Sequence, residues 1–441
     1  MTHSGPTGDS DAAENAQSQG AESERAGTEP AHQQAAEEPA VDVEPDVPLL
    51  REPADGVPEP LTTPEELAEL VERMRAGSGP VALDAERASG YRYSQRAYLV
   101  QLRRAGVGTA LIDPIELPDL GALNDAIGEA EWILHAANQD LSCLAEVGLR
   151  PTRLFDTELA GRLLGEERVA LGTMVEQHLG VRLEKGHSAA DWSTRPLPHD
   201  WLNYAALDVE LLIPLRAALA AALGDAGKQE WAQQEFEAVR VAPPAPPRAE
   251  PWRRTSGIHK VRNRRQLAAI RSLWEARDAY AAERDTAPGR VLPDAAIVDA
   301  ARVDPKRPAD LLALPVFGGP RQRRQLNRWF QALDAARRLT DEELPTASGA
   351  GGDGMPPPAR WRDRDPAAAE RLARSREVVT LLATEHDVLP QNLLASDVIR
   401  RLAWEPPHPL DIAAVHERMA EYGARPWQVE LTLAALVAAL A

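Results

Sequence analysis

Four carboxylates and one phenol fall in three short segments of this chain: Leu83-Asp84-Ala85-Glu86, Asn138-Gln139-Asp140 and Tyr204-Ala205-Ala206-Leu207-Asp208. Asp84 and Glu86 close an apolar run that starts at Val81, and a strand turns residues spaced i, i+2 to the same face. Tyr204 and Asp208 are spaced i, i+4 within Trp201 to Leu212, so a helix stacks them on one side. Taken singly, Asp-x-Glu is often a solvated strand end and Tyr-x-x-x-Asp an ordinary pair of helix neighbours. The set weighs more, because each acid follows or interrupts an apolar stretch that should be buried, where an unpaired carboxylate is costly. Carboxylates gathered at one place repel one another, and the compensation that suits them is a divalent cation with oxygen ligands, Mg2+ or Mn2+. Two such ions about 3.5–4 Å apart activate a water and stabilise the leaving oxygen of an in-line phosphoryl displacement. Metal-dependent phosphodiester hydrolysis is the chemistry to expect.

Those acids need a scaffold that brings a strand and a helix together. Thr63-Pro64-Glu65-Glu66 opens a helix with an N-cap, a proline at the first helical position and acids in the first turn. Strand-like runs follow at Val81 to Glu86, Tyr98 to Arg103 and Thr109 to Asp113, separated by Gly-containing or polar turns, which reads as a meander. Helical and strand-like segments then alternate through Leu120 to Ile127, Trp132 to Ala136, Asp140 to Val147 and Thr157 to Leu164. The expected fold is α/β, a mixed sheet with helices on its faces. A proline-rich linker over 242–251 ends this domain, which spans 61–241. Past it the character is all-α: one helical domain over 252–340, a Gly/Pro-rich linker over 341–360, and a second helical domain over 361–441.

The catalytic segments resemble the ribonuclease D branch of the DEDD 3′–5′ exonucleases, over about Val81 to Leu215. Val81 to Glu86 looks like the first exonuclease motif and Leu134-His135-Ala136-Ala137-Asn138-Gln139-Asp140 like the second. Phe155-Asp156-Thr157-Glu158-Leu159-Ala160 looks like the segment that follows it, and Ala190-Asp191-Trp192-Ser193-Thr194-Arg195-Pro196-Leu197 with Tyr204 to Asp208 like the third region. A histidine five residues before Asp208 would mark a related subgroup; Asn203 stands there, so the tyrosine subgroup is the one resembled. The resemblance implies a ribonuclease-H-like sheet, with Asp84, Glu86 and Asp208 on one metal, Asp84 bridging to a second, and Asp140 helping to hold that second ion. Tyr204 would orient the attacking water; near its ordinary pKa of about 10 a tyrosine is a poor base at neutral pH. Lys185-Gly186-His187-Ser188 departs from the family pattern, in which a serine often follows the lysine more closely. The segment 252–340 resembles an HRDC domain, a small helical nucleic-acid-binding module, through Leu273-Trp274-Glu275-Ala276-Arg277-Asp278, Val291-Leu292-Pro293-Asp294 and Leu314-Pro315 before Gly318-Gly319. The last block looks like a diverged second copy, or else a helical interaction domain that touches no RNA.

Net charge bears on the partner. The 441 residues carry −19, but unevenly. Met1 to Pro60 is acidic, with Arg25 and Arg51 as its basic residues and almost no core-forming side chains, and reads as a disordered acidic tail. Arg253 to Arg338 is basic, and Arg262, Arg264, Arg265, Arg321, Arg323 and Arg324 are candidate phosphate contacts. Their alternative is to solvate helix faces. His135 either lines the site or packs beside it, and Trp192 and Arg195 either touch substrate or hold their loop. The single cysteine, Cys143, excludes an intrachain disulfide and any multi-cysteine zinc site. No secretory signal or membrane-spanning run is evident, so a cytoplasmic setting is expected. No phosphate-binding Gly-x-x-x-x-Gly-Lys loop and no Gly-x-Ser-x-Gly elbow occurs, which removes support for NTP-driven unwinding and serine hydrolysis. The expected partner is the 3′ end of RNA, tRNA precursors or other stable RNA as the resemblance implies. The alternatives are the same chemistry on DNA and a catalytically silent RNA-binding protein.

Overall fold

Thr63 starts the first long helix, α1 (Pro64–Ala76), as its sequence predicts: the Thr63 hydroxyl accepts from the Glu66 amide while Glu66 reaches back to the cap, and Pro64 sits where no N–H is needed. The computed structural model describes residues 47–184, 186, 189–244, 246–261, 263–347 and 355–441. Ahead of α1 runs a short strand, β1 (Leu49–Leu50). The meander follows: β2 (Val81–Arg87), β3 (Ala97–Arg104) and β4 (Gly108–Ile112) pair antiparallel. After α2 (Gly121–Ile127), β5 (Glu131–Leu134) joins the other side of β2 in parallel. After α3 (Leu141–Glu146), β6 (Arg153–Asp156) adds in parallel to β5. The order β4-β3-β2-β5-β6 makes the strand of the first two acids the central one.

Next come α4 (Thr157–Leu163), α5 (Leu171–Leu179), the short β7 (Arg182–Leu183), α6 (His199–Glu210), α7 (Leu212–Asp225) and α8 (Gln229–Arg240). Alternate residues of β3 feed two separate apolar cores. Leu99 packs with Leu202, Ala205 and Ala206 of α6, whereas Val100 and Leu102 belong with Leu215 and Leu219 of α7. Both faces of the sheet are therefore covered, and α6 is pressed against β2 with its tyrosine and aspartate facing the strand's acids.

The acidic tail, expected to reach residue 60, gives way to ordered chain by residue 47. β1 pairs in parallel with β7, the Arg51 carbonyl accepts from Asn203 Nδ2 at 2.7 Å, the Ala54 amide donates to Glu210 at 3.3 Å, and Asp55 meets Arg103 at 3.1 Å. These partners lie far away in sequence, so composition could not reveal them. The rest of that tail, Met1 to Asp46, lies outside the described residues.

The first helical block comprises α9 (Arg264–Glu283), α10 (Pro288–Val291), α11 (Asp294–Val303), α12 (Pro308–Leu312), α13 (Pro320–Arg323) and α14 (Leu326–Arg338). The second comprises α15 (Trp361–Arg364), α16 (Pro366–Glu385), α17 (Pro390–Leu393), α18 (Ser396–Trp404), α19 (Ile412–Glu421) and α20 (Pro426–Leu440). They open alike. A side-chain cap, Asn263 or Asp365, starts a 20-residue helix. A left-handed aspartate follows, Asp285 with φ 43° or Asp387 with φ 49°. Then a one-turn helix begins at Pro288 or Pro390 and ends in an extended leucine, Leu292 or Leu394.

Each left-handed aspartate meets the catalytic domain. Asp285 accepts from the Tyr93 and Ser94 amides at 3.1 and 2.9 Å, on the β2–β3 loop just beyond Glu86, and Arg290 donates to the Gly90 carbonyl at 2.7 Å. The Asp387 carbonyl accepts from Lys228 Nζ at 2.9 Å. Gly165 is forced at that contact: a Cβ would lie 2.8 Å from the Asp387 carbonyl oxygen, and its φ of +82° already disfavours other residues. The junctions differ in chemistry, since the second block shares one continuous apolar core with the catalytic domain while the first has its own.

Candidate metal centre

The bearing elements fix each acid. β2 presents Asp84 and Glu86 on one side, and Gln101, opposite Asp84 in the ladder, donates to its carboxylate at 3.4 Å. One turn of α6 carries Tyr204 and Asp208. Asp140 arrives differently: the chain leaves β5, turns through Ala136 in the left-handed region (φ 59°) and makes a single 3-10 turn that Asp140 ends. That turn is held by Asp156, whose carboxylate accepts the amides of Ala136 and Ala137 at 3.1 and 2.8 Å and also caps α4 through Glu158 and Leu159 at 2.9 and 3.2 Å.

One carboxylate oxygen from each of Asp84, Glu86 and Asp208 lies within 4.8 Å of the other two. Asp140 stands apart from this trio. It is paired with Arg87, Nη2 to Oδ1 at 3.6 Å. All four acids, with Arg87, His135 and Tyr204, line one cavity of about 490 Å³.

Electrostatics follow from enclosure. Burial pushes all four carboxyls above the ordinary carboxylate range, and repulsion adds to it: Asp84 raises Glu86, Asp140 and Asp208, and Asp208 and Asp140 raise Glu86 further. Tyr204 donates its hydroxyl to Asp208, and burial followed by the nearby carboxylates pushes the phenol far above its usual value. In the metal-free site it is held neutral. His135 bonds Thr157 through Nδ1 at 2.9 Å, and burial lowers it to about 4, so it lines the site uncharged. Burial also takes Asp156 up to about 6 despite its four amide donors.

The donor set fits a hard divalent cation. Three oxygens spread around one ion at roughly 2.1 Å lie about 3.6 Å apart, so the trio needs to close by less than about 1 Å per group. Four enclosed carboxylates facing a single arginine leave a charge imbalance that such a cation corrects.

Several residues proposed from sequence as substrate contacts have partners within the protein. Trp192 is fully buried, its ring 5.5 Å from Trp201 and 6.4 Å from Tyr204; it backs the tyrosine and offers no face to a base. Arg195 grips both Asp113 oxygens and the carbonyls of Tyr98, Trp192 and Thr194 at 2.6–2.9 Å, so its five N–H donors are spent. Arg264 donates to the carbonyls of Asp341, Leu344 and Pro345, and Arg265 pairs with Asp341; both close their own domain. Arg262 lies outside the described residues. Arg321, Arg323 and Arg324 are exposed. Arg321 and Arg324 line a second cavity, of about 440 Å³, with Tyr280, Arg284, Thr286 and Gln325. It adjoins Asp285, and so the β2–β3 loop that borders the acidic cavity.

Three residues escaped the sequence reading. Arg87 directly follows Glu86, and its position was signal enough. Asp156 sat in a quoted segment without a role, because its partners are amides 19 and 20 residues back. Gln101 becomes visible only once strand register is known.

Against known proteins, residues 58–223 match the family model for a 3′-5′ exonuclease, 266–333 that for an HRDC domain, and 354–440 that for a 3′ to 5′ exonuclease C-terminal domain. The chain is 32% identical over 355 residues to ribonuclease D of Acidiphilium cryptum, covering 76% of this chain and 87% of that protein. Among solved structures it is similar to a protein from Bifidobacterium adolescentis, with a TM-score of 0.82 and 36% identity, over 90% of this chain and 100% of the other. It is also similar to Escherichia coli RNase D, described as an exoribonuclease involved in structured RNA processing, with a TM-score of 0.61 and 27% identity, over 82% and 99% of the two chains.

Proposed function

The chain belongs to the ribonuclease D family of 3′-5′ exonucleases, and from that premise we propose that it trims RNA from the 3′ end with two divalent cations, Mg2+ or Mn2+, releasing nucleoside 5′-monophosphates. The convergence of Asp84, Glu86 and Asp208 beside a neutral Tyr204 in one cavity carries this reading. Those three acids would hold one ion, and Asp84 with Asp140 the other. When bound, the cations supply Lewis-acid stabilisation of the phosphoryl oxygens and a water of lowered pKa. Tyr204, whose phenol burial and the nearby carboxylates hold protonated in the metal-free site, would orient that water while donating to Asp208. His135, uncharged, shapes the wall without competing for a cation.

Substrate class is argued from charge. The catalytic cavity by itself repels phosphate, so affinity must come from elsewhere, and the cavity around Arg284, Arg321 and Arg324 supplies it next to the β2–β3 loop. Tyr280 lines it as well, with the guanidiniums of Arg328 and Arg284 4.5 and 5.7 Å from its ring centroid. The RNA partners of this reading are tRNA precursors or other structured RNA, by likeness to the Escherichia coli enzyme, in a cytoplasmic setting. The repeated cap, left-handed aspartate and one-turn helix support treating the last block as a second HRDC-like domain, and the central β2 with helices on both faces supports a ribonuclease-H-like sheet.

The test is end-labelled RNA and its DNA counterpart, each with Mn2+ and with chelator. Nucleoside 5′-monophosphates released from RNA and lost with chelator are the expected result. Faster release from DNA would move the substrate class, and no metal-dependent release from either would leave a binding protein.

A further inference from the structure

Arg87 is the one lysine or arginine among the described residues that line the acidic cavity. Strand alternation alone would turn it away from Glu86, but the β2–β3 ladder slips between Glu86 and Arg87, so that Arg87 pairs with Ala97. The extra residue of that slip is Tyr98 of β3, and at this irregular end of the ladder the Arg87 guanidinium lies 3.6 Å from Asp140. The fourth acid is thereby held by an arginine while the other three converge. A guanidinium and a divalent cation on the same carboxylate are like charges a few ångströms apart, and each weakens the other.

We infer that Arg87 makes cation binding at Asp140 conditional on substrate: the guanidinium keeps Asp140 until a nucleotide phosphate draws it off, and the second cation then binds. Arginine suits that exchange, since its planar fork fits phosphate at least as well as carboxylate. The inference rests on the two-cation reading above. It adds the residue responsible: a cation of the chain itself occupies Asp140 until a substrate phosphate takes its place.

The experiment is calorimetric titration of the full chain with Mn2+, alone and with a phosphorothioate-linked dinucleotide or its uncharged methylphosphonate analogue. The wild type should bind one Mn2+ alone and gain a second, at least 10-fold tighter than before, with the charged dinucleotide only. Arg87→Gln should bind both ions without nucleotide, its second site at least 10-fold tighter than in the wild type, and Arg87→Lys, which keeps the charge but not the fork, should leave the nucleotide-free second site as weak as in the wild type. Retention of the first Mn2+ site reports that each variant is folded around the trio. Identical second-site isotherms in wild type and Arg87→Gln would overturn the inference, as would a second ion recruited equally by the methylphosphonate. Absence of any Mn2+ binding by the wild type would overturn the two-cation reading and this inference with it.

Discussion

Asp208→Asn should make the protein more stable and inactive at once when no metal is supplied. Asparagine keeps the shape of the side chain and an oxygen that can accept from Tyr204, but removes a charge whose oxygen lies within 4.8 Å of those of Asp84 and Glu86. At that separation and an effective dielectric of 20, two full charges repel by roughly 3.5 kcal/mol. Proton uptake and relaxation relieve part of it, because all three carboxyls are raised, so a net gain of about 1–2 kcal/mol is expected. For a domain of this size that is a rise of roughly 3–6 °C in Tm in EDTA. Saturating Mn2+ should reverse the order, since a ligand at 100 times its Kd adds about 2.7 kcal/mol to a protein that binds it and the variant has lost a ligand. Loss of several kcal/mol of phosphoryl stabilisation should cut turnover by about 10³-fold or more. Thermal melts of both proteins in EDTA and in Mn2+ make the comparison. A variant that melts below the wild type in EDTA would refute the claim that repulsion among these acids dominates the metal-free site.

The same carboxyls set a pH dependence. Their folded pKa values exceed the unfolded ones, so between the two the folded state holds more protons and stability falls as pH rises through the folded values; Asp156, at about 6, adds to this slope. In EDTA the melting temperature should therefore decline from about pH 5 to pH 8, and Mn2+ should flatten the decline; a rise over that window sinks the assignment. Tyr204→Phe should lower kcat by about 10–100-fold and leave Mn2+ binding intact, with no limb of the pH–rate profile lost, because the phenol does not titrate in range. Arg321→Ala with Arg324→Ala should weaken binding of a single-stranded 20-mer and reduce its salt slope by about 1.4, while dinucleotide hydrolysis stays unchanged; an unaltered slope would remove phosphates from that cavity. Gly165→Ala should lower the melting temperature and perturb the Trp231–Trp427 stack, 4.6 Å between rings, by lifting Asp387 off its seat; normal tryptophan fluorescence and an unchanged melt would show that contact to be slack.

What the chain determined by itself was local. Two acids at i, i+2 after an apolar run, a phenol and an acid at i, i+4, a threonine cap with its proline and glutamate, and proline-rich linkers each act within a few residues, so their physics is written in the order of the side chains. That was enough for a mixed sheet, for acids that converge in one cavity and for the helical blocks. The tertiary structure decided what depends on distant partners. Residues 47–60 look like acidic tail until β7 and Asn203 are brought beside them. Arg195 and Arg264 look like phosphate ligands until Asp113 and three carbonyls take all five donors of the one and carbonyls near 341–345 take three of the other. Arg87 looks like the polar end of a strand until the fold places it on the cavity wall beside Asp140. Charge and hydrogen-bonding capacity can be counted in a sequence, but which of them remain unspent is settled by contacts between residues a hundred positions apart.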